Sequence, residues 1–354
     1  MTTRVSIGVL RLTDTAPVVV AKTRGVFRSL DLDPELAVEP SWSSLASKLS
    51  DGELNAAVML PPLALASAIG LCGPATKLIV PMGLSQGGNA IVLRGNPVLE
   101  TATISPGARL VAWLANQTTR PRIAVVHQYS THNLLLRYWL ALSGIDADGD
   151  IETVIVPPEQ MVPALARGDI VGFCAGAPWG TVAELERVGT VLLGTSDIWP
   201  FHPEKCLAVR DDWVTANPEA LTRLLRGLMR AQWICDQPEE AEAVVSALAD
   251  ETGLGLPREA ARAALPGGSA REQIHFHGAG AGFPARPHAL WFLRQMRRWG
   301  WLAEGSDISS AARTVYRPDL FAVAARMEDL FAPSGVVRNI AVPEAAWTEL
   351  VADG

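Results

Sequence analysis

Four helix starts in this 354-residue chain carry residues that could hold a small anion. TDTAPVVVAK offers Thr13 or Asp14 as a cap, and PSWSSLASKL offers Ser41 or Ser43 with Trp42 beside it. QYSTHNLLLRYWLALSG offers Ser130 or Thr131, with His132 in the first turn. VPPEQMVPALARG begins at Pro157–Pro158, with Pro163 as a kink or a later start. Each start presents unpaired N–H groups and the positive end of a helix dipole, which suits an anion. Gln86, in the Gly-rich turn LSQGGNAI, and Arg286, just ahead of a helix in FPARPHALW, add side-chain donors. Each residue also has a plainer role: Trp42 as a staple beside a cap, His132 as a cap, Gln86 as a loop brace, Arg286 as a solvated cation. Asp14 with His132 is the one acid–base pair these stretches offer for catalysis. GxSxG, Walker, HExxH and GxGxxG patterns are absent. His275 and His277 in HFHG have metal-like spacing but no third ligand nearby, so they read as loop residues.

The elements that must position these residues alternate. Strand-like runs are VSIGVL, NAAVML, TKLIVPM, NAIVLR, RIAVV, ETVIVPP, VGFCAG, GTVLLG and KCLAVR, with helix-period segments between them. This predicts an α/β fold with mainly parallel strands. A long helix is predicted in NPEALTRLLRGLMRAQWICD, with Asn217 as cap, Pro218 at the first position and Leu221, Leu224, Leu225 and Leu228 on one stripe. A second runs through HALWFLRQMRRWG, and Pro318 and Pro333 break the C-terminal region. NAIVLRGN reads as the end of a first α/β block, a loop-rich passage runs from Pro97 to Pro121, and CLAVRDDW reads as the return. The chain therefore divides into one lobe of residues 1–95 plus 205–354 and another of 96–204, joined by two crossings around a hinged cleft.

Composition bounds the function. Apolar residues make up 49% and charged residues 19%, which favours a well-buried globular protein. A net charge of −7 disfavours direct nucleic-acid binding, which needs a basic face. No apolar run approaches a membrane span. A strand begins within the first residues where a charged-then-apolar leader would stand, so the expectation is a cytoplasmic protein. Cys72, Cys174, Cys206 and Cys235 lie far apart in apolar contexts and read as four buried, reduced thiols.

In series, LTDTAPVVVAKTRGVF, PSWSSLASKL, THNLLLRYWLALSGID, VIVPPEQMVPAL, FCAGAPWG, HPEKCLAVRDDWVTANPEAL and FPARPHALWFLRQMRRWGWL span residues 12 to about 302. In that order they resemble the nitrate- and bicarbonate-binding proteins of ABC uptake systems. The resemblance implies a two-lobed periplasmic-binding-protein type II fold and a non-catalytic role. Carried over by motif, its nitrate pocket falls on Trp42, Gln86, His132, Pro158 and Arg286. The position of Arg286 usually reads Lys in the transporters, and a planar guanidinium suits a trigonal anion. Ala177 in FCAGAPW stands where many relatives have a Glu, which disfavours metal-assisted bicarbonate binding. No cofactor or metal is implied. The start of the chain points to the branch of cytoplasmic nitrate/nitrite sensors, whose partner is an ANTAR-type RNA-binding antiterminator. Two other readings stay open: an uptake binding protein, and a small-carboxylate lyase on the same architecture.

Overall fold

The computed structural model describes residues 2–95, 105–117, 119–250 and 253–328. Pro97 and Pro333 lie outside the described residues. The strands are β1 (Thr3–Val9), β2 (Leu32–Val38), β3 (Ala56–Met59), β4 (Leu78–Gly87), β5 (Asn89–Arg94), β6 (Arg122–Val125), β7 (Glu152–Ile155), β8 (Gly172–Gly176), β9 (Gly189–Gly194), β10 (Pro203–Arg210) and β11 (Ile274–His275). They form two sheets, one per lobe. The first has the order β11-β4-β10-β3-β1-β2 and the second β7-β6-β8-β5-β9. This is the two-lobed α/β architecture that the sequence implied.

The sheets are mixed rather than mainly parallel. β1 runs parallel to β2 and β3, and β6 parallel to β7 and β8. β10 is antiparallel to β3 and β4, and β5 is antiparallel to β8 and β9. β5 and β10 are the strands that carry the chain between lobes, each entering its new sheet against the local direction, and the short edge strand β11 is also antiparallel, to β4.

The first crossing falls at Gly87–Gly88, ahead of β5, and not after Arg94. Both glycines have φ in the left-handed region, at 70° and 84°. A Cβ on Gly87 would stand 2.8 Å from the Gln273 carbonyl, and one on Gly88 2.6 Å from Ile274 Cγ1. Only glycine fits such a tight change of direction. The return runs through the turn at Thr195–Asp197 into β10.

Two strands escaped the sequence reading, β2 and the two-residue β11. β2 (LDPELAV) carries Pro34 opposite Val5, and the strand lies at the sheet edge. Pro is tolerated at an edge because the ladder there asks fewer N–H groups of it. The long helix spans Pro218–Asp236 as expected, and Leu221, Leu224, Leu225 and Leu228 are all buried. The Arg286–Arg298 helix buries Trp291 against Trp199, ring centroids 4.7 Å apart, and against Tyr138 of the Thr131–Leu142 helix at 6.3 Å. Arg137 on that latter helix pairs with both carboxylate oxygens of Asp148, at 2.9 and 2.6 Å, and lies over Trp299 and Trp301. An aromatic and guanidinium contact set thus fixes the helix that carries His132. No helix among the described residues is long and apolar enough to cross a membrane.

Three of the thiols are buried, but Cys72 is exposed in the turn after the Pro61–Ala68 helix. That turn, LCGPAT, leaves the apolar run of the helix behind it. Burial pushes the Cys174, Cys206 and Cys235 thiols up, so they resist ionisation as well as access. A thiol-reactive dye should therefore label one of the four cysteines quickly in the native protein, and the other three only after unfolding. Rapid labelling of two or more would contradict this packing.

Candidate anion-binding site

The ends of β1, β6 and β8 and the start of β10 meet where the lobes close. Ligands in open α/β sheets collect at such strand ends. The turn after β1 supplies Asp14, which lies in a short 3-10 segment, Thr13–Thr15, and makes no cap bond. The expected cap role for Asp14 does not hold, because its carboxylate faces Lys205. Ser41 and Ser130 do cap their helices, accepting from the Ser44 and Asn133 backbone N–H groups. Those caps place Trp42 and His132 in first turns, at the cleft.

Lys205 is the centre of the site. Its Nζ lies 2.7 Å from Asp14 Oδ2 and 2.6 Å from Glu204 Oε1, with all three side chains buried. Adjacent strand residues normally point to opposite faces. Here the β10–β4 register shifts between Pro203 and Lys205 and again between Lys205 and Cys206. That bulge lets Glu204 and Lys205 serve one site. The ammonium also stands 5.5 Å from the Trp42 ring centroid.

Glu204 draws on both lobes. Asn89 Nδ2 donates to its Oε2 at 2.6 Å, and His132 Nε2 lies 3.4 Å from its Oε1. His202 Nδ1 lies 3.7 Å away, and the other ring nitrogen of His202 bonds the Thr195 hydroxyl at 2.7 Å. The cleft is closed elsewhere too, by a bond from the Thr13 N–H to the Ala177 carbonyl and an Arg11–Glu159 pair at 3.8 Å.

The electrostatics follow from burial and these neighbours. Burial alone would raise Glu204, but Lys205, His132 and His202 outweigh it and hold the carboxyl down at about 2. Asp14 has fewer partners, so burial wins and its carboxyl rises, with Lys205 opposing. Burial lowers His132 to about 3 despite Glu204, so its ring is neutral near pH 7. Lys205 stays charged because its two carboxylates overcome its burial.

Several polar atoms here await a partner. Trp42 Nε1, His132 Nδ1, Asn89 Oδ1 and Asp14 Oδ1 are buried with no hydrogen-bond partner among the described residues. Buried polar groups are normally paired, and these four belong to side chains in or beside the Lys205 cluster. Three side chains of the cluster converge on Gly176, the last residue of β8. A Cβ there would stand 3.4 Å from Asn89 Oδ1, 3.5 Å from His132 Nε2 and 3.6 Å from Asp14 Oδ2.

Among the expected pocket residues, Trp42 and His132 stand around Lys205. Gln86 is buried at the end of β4, opposite Pro203 and His275 and just before the Gly87–Gly88 crossing. Pro158 is buried at the start of the Pro158–Arg167 helix, one residue from the Glu159 that reaches Arg11. Arg286 is exposed in the first turn of its helix, and the buried cation of the cluster is Lys205. Sequence reasoning passed over Lys205, Glu204, Asn89 and His202. The signal for the first two was HPEK, a charged pair opening an apolar strand whose neighbours are all core. His275 sits in β11 rather than a loop, and no group of three metal-ligating side chains occurs among the described residues.

A groove of about 800 Å³ opens between the lobes with Ser43 and Ser47 on one wall and His127 and Tyr129 on the other. Neither Lys205 nor His132 lines it. The charged cluster is buried, with Asp14, His132, Glu204 and Lys205 all shielded from solvent.

The sequence pattern of the NMT1-like family matches residues 1–249. The chain is 31% identical to the nitrate/nitrite binding protein NrtA of Synechococcus elongatus, over 91% of this chain and 77% of that one. It is 34% identical to the nitrate import ATP-binding protein NrtC of Synechocystis, over 90% of this chain but 49% of NrtC, so it spans about half of that relative. The crystal structure of the periplasmic nitrate-binding protein NrtA from Synechocystis superposes with a TM-score of 0.87 at 29% identity, covering 93% of this chain and 90% of that one.

Removing the ammonium would leave two carboxylates buried together. Lys205→Ala should cost about 3–5 kcal/mol of stability near pH 7, the usual penalty for breaking a buried pair from one side. Asp14→Asn in the same chain should restore part of it, in urea unfolding followed by circular dichroism. A Lys205→Ala variant as stable as the parent would show that the three charges are not coupled.

Proposed function

The chain belongs to the NMT1-like family, and from that premise we propose that it binds nitrate or nitrite in the interlobe cleft. The observation that carries this reading is the buried Lys205 ammonium beside the unpaired indole N–H of Trp42 and the imidazole of His132, drawn from both lobes. A small planar anion uses such converging donors, and water exclusion makes each contact worth more. Gln86 and Pro158 complete the walls. The similarity to NrtA proteins supports the choice of nitrate and nitrite among small anions. The cluster suits binding rather than catalysis, since both carboxylates are engaged by Lys205 and His132 is neutral.

In its finer form the proposal is a cytoplasmic sensor. Anion contacts from both lobes favour the closed form and shift the population toward it. A partner that recognises the open surface, an ANTAR-type antiterminator, is then released. The acidic balance of −7 suits a protein that holds a basic RNA-binding partner. The coupling is reciprocal, so the partner weakens anion binding by the same factor, typically about 5- to 150-fold. The similarity to import proteins favours a second reading, in which the same closure serves delivery to a transporter.

Calorimetry with nitrate, nitrite and bicarbonate tests the ligand. His132→Ala should weaken nitrate binding by about 30-fold or more, the loss expected for a buried polar contact. Arg286→Ala, at an exposed position, should change it less than about 3-fold. Equal effects from the two variants would move the site to the mouth of the cleft. A pull-down of the antiterminator with and without nitrate separates the two uses. Retention of the partner regardless of nitrate would defeat the sensor reading while leaving anion binding intact.

A further inference from the structure

The charges that face one another in the closed cleft do not balance. β10 contributes the Lys205 ammonium and the Glu204 carboxylate, and the turn after β1 contributes the Asp14 carboxylate. His132 from its helix and His202 from the loop ahead of β10 are neutral near pH 7, since burial lowers both. Cys174 and Cys206 behind them remain thiols. The sum is one negative charge, and an anion would add a second among buried side chains, where an uncompensated charge is costly.

The space over Gly176 shows the same excess of acceptors. Two of the three polar atoms nearest to it are acceptor oxygens, Asn89 Oδ1 and Asp14 Oδ2. Nitrate and nitrite offer acceptors only. An anion lodged against them needs a proton on one of these groups. Glu204 already receives Asn89 Nδ2 and meets Lys205, whereas Asp14 Oδ1 has no hydrogen-bond partner among the described residues.

We infer that the cleft takes its anion together with a proton held on Asp14, so that the bound class is a monovalent oxyanion plus H⁺. The inference rests on the anion-binding reading above. Burial already raises the Asp14 carboxyl while Glu204 is held at about 2, so Asp14 takes the proton first. A bound anion raises Asp14 further. By linkage, affinity then falls as pH rises above the Asp14 pKa of the free protein. The fall approaches about tenfold per pH unit and levels off above the pKa of the complex.

The test is calorimetry of the full chain with nitrate at about pH 7.5 in Tris and in HEPES, whose ionisation enthalpies differ, so that the difference in heat counts protons. The wild type should take up close to one proton per nitrate. Asp14→Asn should take up almost none, bind with a flat pH profile, and bind more tightly than the wild type at about pH 9. Nitrate binding by the wild type without proton uptake overturns the inference and leaves the anion reading standing. Undiminished uptake by Asp14→Asn overturns the assignment to Asp14. Failure of the wild type to bind either nitrate or nitrite overturns the anion reading and the inference together. If the variant folds poorly, the wild type alone still tests the inference: affinity that falls with rising pH supports it, and a flat profile overturns it.

Discussion

One ammonium held between two carboxylates, inside a closed interface, is the constraint on which the rest of this structure depends. Lys205 meets Asp14 and Glu204 with no water-exposed side chain among the three. Such a group is a weak source of stability, because desolvation offsets most of the attraction. It is a strong source of register. Asp14 must lie just after β1, Lys205 at a bulge in β10, and Asn89 and His132 must come across from the second lobe to finish Glu204. If any of these misplaces its element, a buried charge is left alone.

That constraint explains why the crossings are built as they are. The first is a pair of glycines in the left-handed region, and no bulkier backbone could turn between Gln273 and Ile274 there. It delivers Asn89 to Glu204 within two residues of the turn. The return crossing delivers His202, Glu204 and Lys205 in succession. The hinge and the site are therefore one segment of chain, seen from two sides. A change in direction at either crossing would therefore displace the charged groups that the crossing carries.

The legibility of the sequence follows the same division. Apolar periodicity showed nine of the strands and the long Pro218–Asp236 helix, because burial of one face is a local, repeated signal. β2 was hidden by Pro34, and strand direction was hidden because it depends on which lobe a strand has crossed into. The caps Ser41 and Ser130 were legible, and with them Trp42 and His132, since a cap fixes its neighbours within a turn. Lys205 was not, although HPEK lay in plain view. A lysine at a strand start ordinarily reads as solvent-facing, and only the partners from distant segments show it buried. Arg286 is the converse case: a guanidinium chemically suited to a trigonal anion, on a helix start that the fold leaves exposed.

Asp14 carries the consequence furthest. Its carboxyl is raised by burial, so the folded protein holds a proton there more readily than the unfolded chain does. This group therefore favours the folded state at low pH, and the benefit is lost as pH rises through its folded pKa. Glu204 acts the other way, held near 2 in the fold, so its contribution is present above the ordinary glutamate range and is lost as pH falls toward that value. Two carboxylates on one lysine thus pull stability in opposite directions with pH. Retaining an under-bonded carboxylate beside an ammonium is a cost to the fold, of the kind that functional sites tolerate and cores do not.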